Sequence, residues 1–264
     1  MRLGIIGLGN MGSAILSGIL QNGLLSAEDV IGAELSSKRR FEIGEKYGIA
    51  VTENSREAAE KSDILLLSIK PQVYEAVIAD IKGVIRPEQI IISIAPGKTI
   101  GWLTEQFGKE LKLVRCMPNT PALVLEGCTG VCKSPSVSDE EFETVLKLLQ
   151  SFGKAYRVEE KQMDAVVAIS GSSPAYVFML IEAMADAGVA EGLPRASAYE
   201  FAAQAVLGSA KMVLTSGKHP AELKDMVCSP AGTTIEAVEV LEEKGFRAAV
   251  MEAMRVCAKR SREL

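Results

Sequence analysis

A glycine-rich loop near the start of the chain has the residue types and spacing that bind a dinucleotide. Gly7, Gly9 and Gly12 follow the apolar run Arg2–Ile6 and lead directly into the apolar stretch Ala14–Leu20. In this pattern the first glycine permits a tight turn, the second lets backbone N–H groups approach a pyrophosphate, and the third allows close packing of helix on strand. The alternative is a glycine turn without a ligand, but the position of the loop after the first strand of an α/β pattern favours a dinucleotide site.

The residues after the second apolar run bear on which dinucleotide binds. An acidic side chain such as Glu34 can bond both ribose hydroxyls of NAD and repel the 2′-phosphate of NADP. The segment that follows, Leu35–Arg40, contains two serines, beginning with Ser36, and three cations that could equally hold a phosphate. A solvated helix turn without a ligand is the alternative for each cation. The nucleotide preference therefore stays open at this point.

Three further loops follow apolar runs and could line a ligand pocket. Ser68–Pro71 contains Lys70, a cation that could meet a phosphate or the nicotinamide carboxamide. Ser93–Gly97 has small residues against which a flat ring can lie, and Met117–Pro121 offers polar groups held by two prolines. The carboxyl ends of parallel strands share one edge of a sheet, which favours a shared pocket over three separate rigid loops.

Two polar loops in the second half of the chain could hold a small anion. Ser170–Tyr176 opens an apolar helical stretch with hydroxyl groups and a proline. In the segment Cys228–Glu236, Thr233 precedes Glu236 by the spacing of a capping box, and free N–H groups at such a helix start suit a carboxylate. An ordinary helix cap explains either loop equally well on local grounds.

The elements that must position these loops are predicted from hydrophobic periodicity. Short runs rich in Ile, Val and Leu alternate with helical patterns, which indicates a Rossmann-type, doubly wound parallel sheet of the α/β class. From about Lys161 only helical patterns follow. We therefore predict a dinucleotide-binding domain over residues 1–160 and an all-helical domain over residues 161–264. The expected strands are Arg2–Ile6, Val30–Glu34, Ile64–Ile69, Ile90–Ile94, Leu111–Cys116, Gly130–Cys132 and Lys154–Val158.

Two stretches of the helical half, Pro174–Ala190 and Pro194–Leu214, are apolar or small on nearly every side. A helix that is buried all round needs more neighbours than one small domain supplies, so we predict dimerisation through these helices. Glu182 and Asp186 interrupt the first stretch, which favours a buried helix over a membrane span.

Composition narrows the class of function. A net charge of −5 argues against binding to a nucleic-acid backbone. Five cysteines without zinc-site spacing indicate buried thiols in a reducing compartment, and glycines break any signal-like run in the first twenty residues, so we expect a cytoplasmic protein. The single histidine, His219, precedes a proline and is typical of a helix start, which leaves little material for histidine catalysis or a metal.

Taken together, five stretches resemble pyrroline-5-carboxylate reductase, and the resemblance covers both predicted domains. The last three are specific to that family, whereas the first two are shared with many dehydrogenases. The stretches are Gly7–Gly12, Ser68–Pro71, Arg115–Pro121, Ser170–Tyr176 and Leu223–Pro230. The resemblance implies NAD(P)H-dependent reduction of 1-pyrroline-5-carboxylate to L-proline, the final step of proline biosynthesis. It also implies a helical dimerisation domain and dimers that often assemble into decamers.

The resemblance and the motifs described above together indicate a set of site residues, which includes no metal ligand. The dinucleotide is expected on Gly7, Leu8, Gly9, Asn10, Met11, Gly12, Glu34, Ser36, Asn54, Ser68, Ile69, Lys70, Pro71, Ala95, Pro96, Gly97 and Asn119. The substrate is expected on Ser172, Ser173, Ser229, Gly232, Thr233 and Thr234.

Thr234 is the candidate catalytic residue of this set. A protonated imine accepts hydride readily, so the reaction needs positioning and an anchored carboxylate more than a strong base. The proton comes either from solution or through the Thr234 hydroxyl with a water.

Two residues depart from the family's pattern. Ala231 stands where the family often has a second glycine after proline, so a constrained turn is expected if it takes a positive φ. Glu34 stands where NADP-preferring members tend to carry a small hydroxyl or another neutral residue, which argues against strict use of NADP.

Two other functions are compatible with parts of the pattern. One is another imine, hydroxy-acid or keto-acid reductase on the same scaffold, which would usually place a lysine or histidine beside the carbonyl. The helical half offers Lys161, Lys211 and Lys224, none flanked by an obvious partner. The other is a non-catalytic dinucleotide-sensing protein, against which the intact loops at every strand end weigh.

Overall fold

A computed structural model describes residues 1–263, which divide into two compact units. The first comprises Met1–Ser172 together with the end of the last helix from Cys257 onward, and the second comprises Ser173–Val256. This division falls after Ser172, whereas the sequence predicts the domain boundary at residue 160. Met163 is fully buried and packs with Val167 against the sheet of the first unit, which keeps the segment after residue 160 in that unit.

The first unit is built on one eight-stranded sheet of order β3-β2-β1-β4-β5-β6-β7-β8. The strands are β1 (Leu3–Ile6), β2 (Val30–Ala33), β3 (Ala50–Thr52), β4 (Ile64–Leu67), β5 (Ile90–Ser93), β6 (Lys112–Met117), β7 (Gly127–Lys133) and β8 (Gly153–Arg157). Strands β1 to β6 are parallel, and the chain reverses direction across the sheet between β3 and β4. The predicted doubly wound sheet is confirmed.

Strand β7 differs from the prediction because it is longer than Gly130–Cys132 and pairs antiparallel to β6. Strand β8 then runs parallel to β7. The edge strand β3 was not predicted at all, since its three residues are exposed or only half-buried and lack the apolar run of the inner strands.

Helices cover both faces of this sheet and create two apolar cores, one on each face. They are α1 (Asn10–Gln21), α2 (Ser37–Tyr47), α3 (Ser55–Glu60), α4 (Tyr74–Ile81), α5 (Ile100–Phe107) and α6 (Asp139–Gln150). Every residue of β1, β2, β4 and β5 is buried, which explains why these strands read as continuous apolar runs. A short helix, α7 (Met163–Val166), passes into a π-helix at Val167–Gly171.

The second unit consists of helices, of which α8 (Ser173–Ala190) and α9 (Arg195–Ser216) pack together. They are followed by α10 (Pro220–Val227), α11 (Thr233–Glu243) and α12 (Phe246–Arg262). Within one chain α8 is not the buried helix that was predicted, because only Ala185 is buried and Met179 is 68% exposed.

By length and composition alone, Glu160–Ala190 is apolar enough to cross a membrane, with a mean hydropathy of 1.5.

Tyr74 ties the ends of β4 and β5 together beneath the loops that follow them. Its hydroxyl donates to the carbonyl of Leu67 at 2.7 Å and accepts from the Ser93 hydroxyl at 3.1 Å. The ring is completely buried, and burial raises the pKa of the Tyr74 phenol, which keeps it a neutral donor. Two neighbouring strand ends are thus fixed relative to each other.

We predict that Tyr74→Phe lowers the free energy of unfolding by about 1–3 kcal/mol, because it leaves the buried Leu67 carbonyl without this donor. Urea unfolding measures the change. Tyr156→Phe is the matched control, since Tyr156 is 52% exposed. Equal stabilities of the two variants would contradict the role of the Tyr74 hydroxyl.

Candidate active site

The glycine loop connects β1 to α1, and two of its glycines are required by the fold itself. A Cβ atom on Gly12 would overlap the carbonyl oxygen of Gly7, and one on Gly7 would overlap the carbonyl oxygen of Ser68. Gly7 also has a φ of +91°, which L side chains rarely adopt. Gly9 is different, because it precedes α1 in an extended conformation and a Cβ atom there would meet nothing within 4 Å.

Glu34 lies just beyond the end of β2, and the backbone holds its carboxylate from two sides. The Leu8 N–H donates to Oε2 at 3.2 Å, and the Ser36 N–H donates to Oε1 at 3.0 Å. The side chain is half-buried. A fixed negative charge thus stands next to the glycine loop, where the second strand of such a fold meets the ribose.

The arginines that could have held a phosphate are committed to the protein. Arg39 Nε donates to the Leu8 carbonyl at 3.2 Å. Arg40 Nη1 donates to the carbonyls of Glu34 and Leu35 at 2.7 and 2.8 Å, and Nη2 pairs with Glu53 at 3.0 Å. These contacts engage two of the three cations in Leu35–Arg40, whereas the Lys38 side chain is 84% exposed and lies 3.9 Å from Glu42.

The loop after β4 borders the glycine loop. Ser68 lies against Gly12, and its buried hydroxyl has no hydrogen-bond partner among the described residues. Ile69 lies beside Gly7, and Lys70 is exposed, directly before the 3-10 turn Pro71–Val73.

The geometry of these loops fits a dinucleotide. No side chain caps the start of α1, which leaves its N–H groups available to an anion. Open space lies over Gly9, and the buried Ser68 hydroxyl lacks a partner among residues 1–263.

Asn54, another predicted site residue, uses its side-chain oxygen to cap α3, where it accepts from the N–H groups of Arg56 and Glu57 at 2.9 and 3.3 Å.

A cleft of about 270 Å³ lies at the carboxyl edge of the sheet in the first unit. It brings together the loops after β5 and β6, the start of α1 and the π-helix. Among the predicted site residues, Met11, Pro96, Asn119 and Ser172 line it, whereas Lys70 does not. The lining residues are Met11, Ile94, Pro96, Met117, Pro118, Asn119, Thr120, Val167, Gly171 and Ser172.

Asn119 connects two walls of this cleft through its amide. Nδ2 donates to the Ser170 carbonyl at 3.0 Å, and Oδ1 accepts from the Cys128 N–H at 2.8 Å. Ser172 accepts at its hydroxyl from the Cys257 thiol at 3.3 Å. Both polar side chains therefore hold the cleft's own backbone and side chains together.

Glu160, which is not among the predicted site residues, contacts Arg115 and the first residue of α5. Arg115 is 3% exposed and lies among buried apolar residues of strand β6. A charged residue inside a buried strand requires a partner, and this was the available signal. Its partner lies 45 positions away in sequence, so local patterns could not identify it.

The polar loop of the second unit precedes α11. Ala231 has a φ of +55°, so the expected constrained turn is present. The Gly232 N–H donates to the Ser229 carbonyl at 3.0 Å, and a Cβ atom on Gly232 would overlap the Ser229 hydroxyl. Thr234 is half-buried in the first turn of the helix.

The capping box predicted at Thr233 is wrong. The helix begins at Thr233 itself, so Gly232 occupies the cap position and no side chain forms a cap hydrogen bond there. The first N–H groups of α11 are left without a side-chain acceptor. By contrast, His219 caps α10, where its Nδ1 accepts from the Ala221 N–H at 3.2 Å. Ser173, which was predicted to bind the substrate, is the first residue of α8.

The cysteines do not form a reactive centre. Burial raises the pKa of the Cys116 thiol, and it raises the pKa of Cys132 to about 12. Among residues 1–263, no group of three or more His, Cys, Asp or Glu side chains is placed to hold a metal ion.

Comparison with known proteins gives full-length matches. A family model for pyrroline-5-carboxylate reductase dimerisation matches residues 160–264, and one described as NADP oxidoreductase, coenzyme F420-dependent, matches residues 2–97. Pyrroline-5-carboxylate reductase of Escherichia coli is 48% identical over 263 residues, covering 100% of this chain and 98% of the relative.

Solved structures agree with these matches. The Plasmodium falciparum pyrroline carboxylate reductase with NADP bound superposes with a TM-score of 0.91 at 34% identity, covering 100% of this chain and 97% of that one. The 1-pyrroline-5-carboxylate reductase of Streptococcus pyogenes superposes with a TM-score of 0.89 at 37% identity, covering 100% and 99% of the two chains.

The fold and the site define an NAD(P)H-dependent oxidoreductase that acts on a cyclic imine. The chain belongs to the pyrroline-5-carboxylate reductase family. It forms a homo-oligomer and acts on a small molecule. The matches give no support to a hydroxy-acid or keto-acid reductase or to a non-catalytic sensing protein.

We predict that Gly9→Ala leaves thermal stability unchanged but weakens NADH binding about tenfold to a hundredfold. This loss of affinity corresponds to a cost of about 1–3 kcal/mol for overpacking the bound state. The protein alone has room for the added methyl group, whereas a pyrophosphate at the loop does not leave that room. Fluorescence titration with NADH and thermal unfolding measure the two quantities.

Gly83→Ala is the control, because a Cβ atom at Gly83 also meets nothing within 4 Å. Unchanged NADH binding by Gly9→Ala would contradict the placement of the pyrophosphate at this loop.

Proposed function

We propose that this chain reduces 1-pyrroline-5-carboxylate to L-proline, the final step of proline biosynthesis, and uses NADH in preference to NADPH. The observation that carries the cofactor preference is the Glu34 carboxylate, which two backbone N–H groups hold next to the glycine loop. A 2′-phosphate would meet this charge, whereas ribose hydroxyls can donate to it. Arg39 and Arg40 are engaged with backbone carbonyls, and the exposed Lys38 lies beside Glu42.

The proposed dinucleotide site follows the edge of the sheet in the first unit. The uncapped start of α1, with Asn10 and Met11, holds the pyrophosphate, and Glu34 holds the adenosine ribose. Ala95, Pro96 and Gly97, in the loop after β5, lie along the nicotinamide half. When bound, the dinucleotide supplies the hydride for the imine carbon.

The proposed substrate anchor is the start of α11 in the second unit. Its uncapped N–H groups at Thr233 and Thr234 suit the substrate carboxylate. The Gly232 N–H, which donates to the Ser229 carbonyl, fixes the turn that presents them. The imine nitrogen carries the proton that makes its carbon electrophilic, so no strong base is needed. The Thr234 hydroxyl, which can both accept and donate, holds that proton or relays it from a water.

The proposed assembly is a homodimer through α8 and α9, with a decamer built from such dimers as the larger form. Phe178, Met179 and Phe201 are each more than 60% exposed in one chain, and such apolar surface requires a cover. The dimerisation model spans these helices, so we assign the cover to a second copy and not to a membrane or a nucleic acid. Since a second copy and not a membrane covers these helices in the proposed dimer, we place the protein in the cytoplasm.

Glu34→Ser is expected to raise the kcat/KM for NADPH relative to that for NADH by about tenfold or more. A tenfold change corresponds to about 1.4 kcal/mol of relative transition-state stabilisation. The substitution removes the charge that opposes a 2′-phosphate. Steady-state kinetics with each cofactor on 1-pyrroline-5-carboxylate measure the ratio.

Glu42→Ser is the control for Glu34→Ser, since Glu42 lies exposed on α2 beside Lys38. An unshifted ratio in Glu34→Ser would contradict the preference for NADH.

For Thr234→Ala we expect kcat/KM to fall about tenfold to a thousandfold, because the proton at the imine nitrogen loses its hydroxyl partner. Thr234→Ser keeps the hydroxyl and should retain most of the activity. Initial rates at saturating NADH measure both variants. A kcat/KM that Thr234→Ala leaves unchanged removes this residue from the mechanism.

A further inference from the structure

A single carboxylate oxygen holds two separate segments of the first unit together. Glu160 Oε1 accepts from the Ile100 N–H at 2.7 Å and from Arg115 Nη1 at 3.1 Å. Ile100 is the first residue of α5, and Arg115 lies in β6. Glu160 itself opens the 3-10 turn before α7. Three elements therefore meet at one atom.

The environment of this atom makes the contact strong. The Arg115 side chain is 4% exposed, and its Nε has no hydrogen-bond partner among the described residues. Because this buried guanidinium has an incomplete set of acceptors, the stability of its buried charge depends heavily on the Glu160 carboxylate. The Ile100 N–H is an otherwise unsatisfied donor at a helix start, where negative charge is favoured.

Each of the three elements continues into a wall of the cleft. The loop Ile94–Thr99 ends at Ile100, and it contributes Ile94 and Pro96 to the lining. The chain after Glu160 continues through α7 into the π-helix, which contributes Val167 and Gly171. Strand β6 continues from Arg115 to Met117, which lines the third side.

We infer that Glu160, braced by Arg115, is a positioning residue that sets the separation of these walls and so holds the nicotinamide half of the dinucleotide for hydride transfer. The inference rests on the proposed function, which places Ala95–Gly97 along that half. Glu160 accepts from Ile100 and Arg115, whereas Glu34 accepts from Leu8 and Ser36, so Glu160 and the proposed ribose site share none of these contacts. The two halves of the ligand should therefore respond differently to its loss.

The test compares NADH with ADP-ribose, which lacks the nicotinamide. Glu160→Gln keeps an oxygen acceptor for the Ile100 N–H but removes the charge that Arg115 requires. We expect kcat to fall about tenfold to a hundredfold, as for a misplaced reacting group. We also expect weaker NADH binding with a reduced change in nicotinamide fluorescence, whereas ADP-ribose binds as it does to the unchanged protein.

Glu159→Gln is the matched control, because Glu159 loses the same charge one position away and pairs with Lys161 instead. Arg115→Lys, which keeps the charge but not the planar guanidinium, provides a second variant if Glu160→Gln does not fold, and the same split between NADH and ADP-ribose is expected. Equal losses for the two ligands, or normal kcat in a folded variant, would overturn the inference. Absence of turnover in the unchanged protein would instead contradict the proposed function.

Discussion

The close approach of α1 to the carboxyl edge of the sheet is the constraint on which the site depends. Side chains at Gly7 or Gly12 would overlap neighbouring backbone, so only hydrogen atoms allow the helix to start where it does. That position puts the Leu8 N–H within reach of Glu34 and brings Ser68 against the first turn of α1. A helix that began farther out would separate its N–H groups from the ribose contact.

Much of the first unit was predictable because its inner strands are buried on both faces. Each of β1, β2, β4 and β5 is a short apolar run bounded by turn residues, and such a run has few alternatives. The pattern failed where burial is partial. Strand β3 is at the edge, and β7 begins with Gly127, Cys128 and Thr129, whose composition carries no clear strand signal.

The parts of the site that escaped prediction are contacts between residues that are distant in sequence. Asn119 reaches Ser170 across 51 positions, and Ile100 reaches Glu160 across 60. No local periodicity encodes such pairs. The misplaced capping box had another cause, since Thr233 and Glu236 have the correct spacing but the positive φ of Ala231 and the Gly232 turn start the helix one residue earlier, at Thr233.

The exposed apolar faces of α8 and α9 have a consequence for how the protein matures. The first unit completes both of its cores within a single chain, whereas the second leaves Phe178, Met179 and Phe201 exposed in one chain. In the proposed dimer, burial of these side chains is a bimolecular event whose rate depends on chain concentration. A cell that makes this protein slowly would hold each new copy longer in a state prone to aggregation and dependent on chaperones.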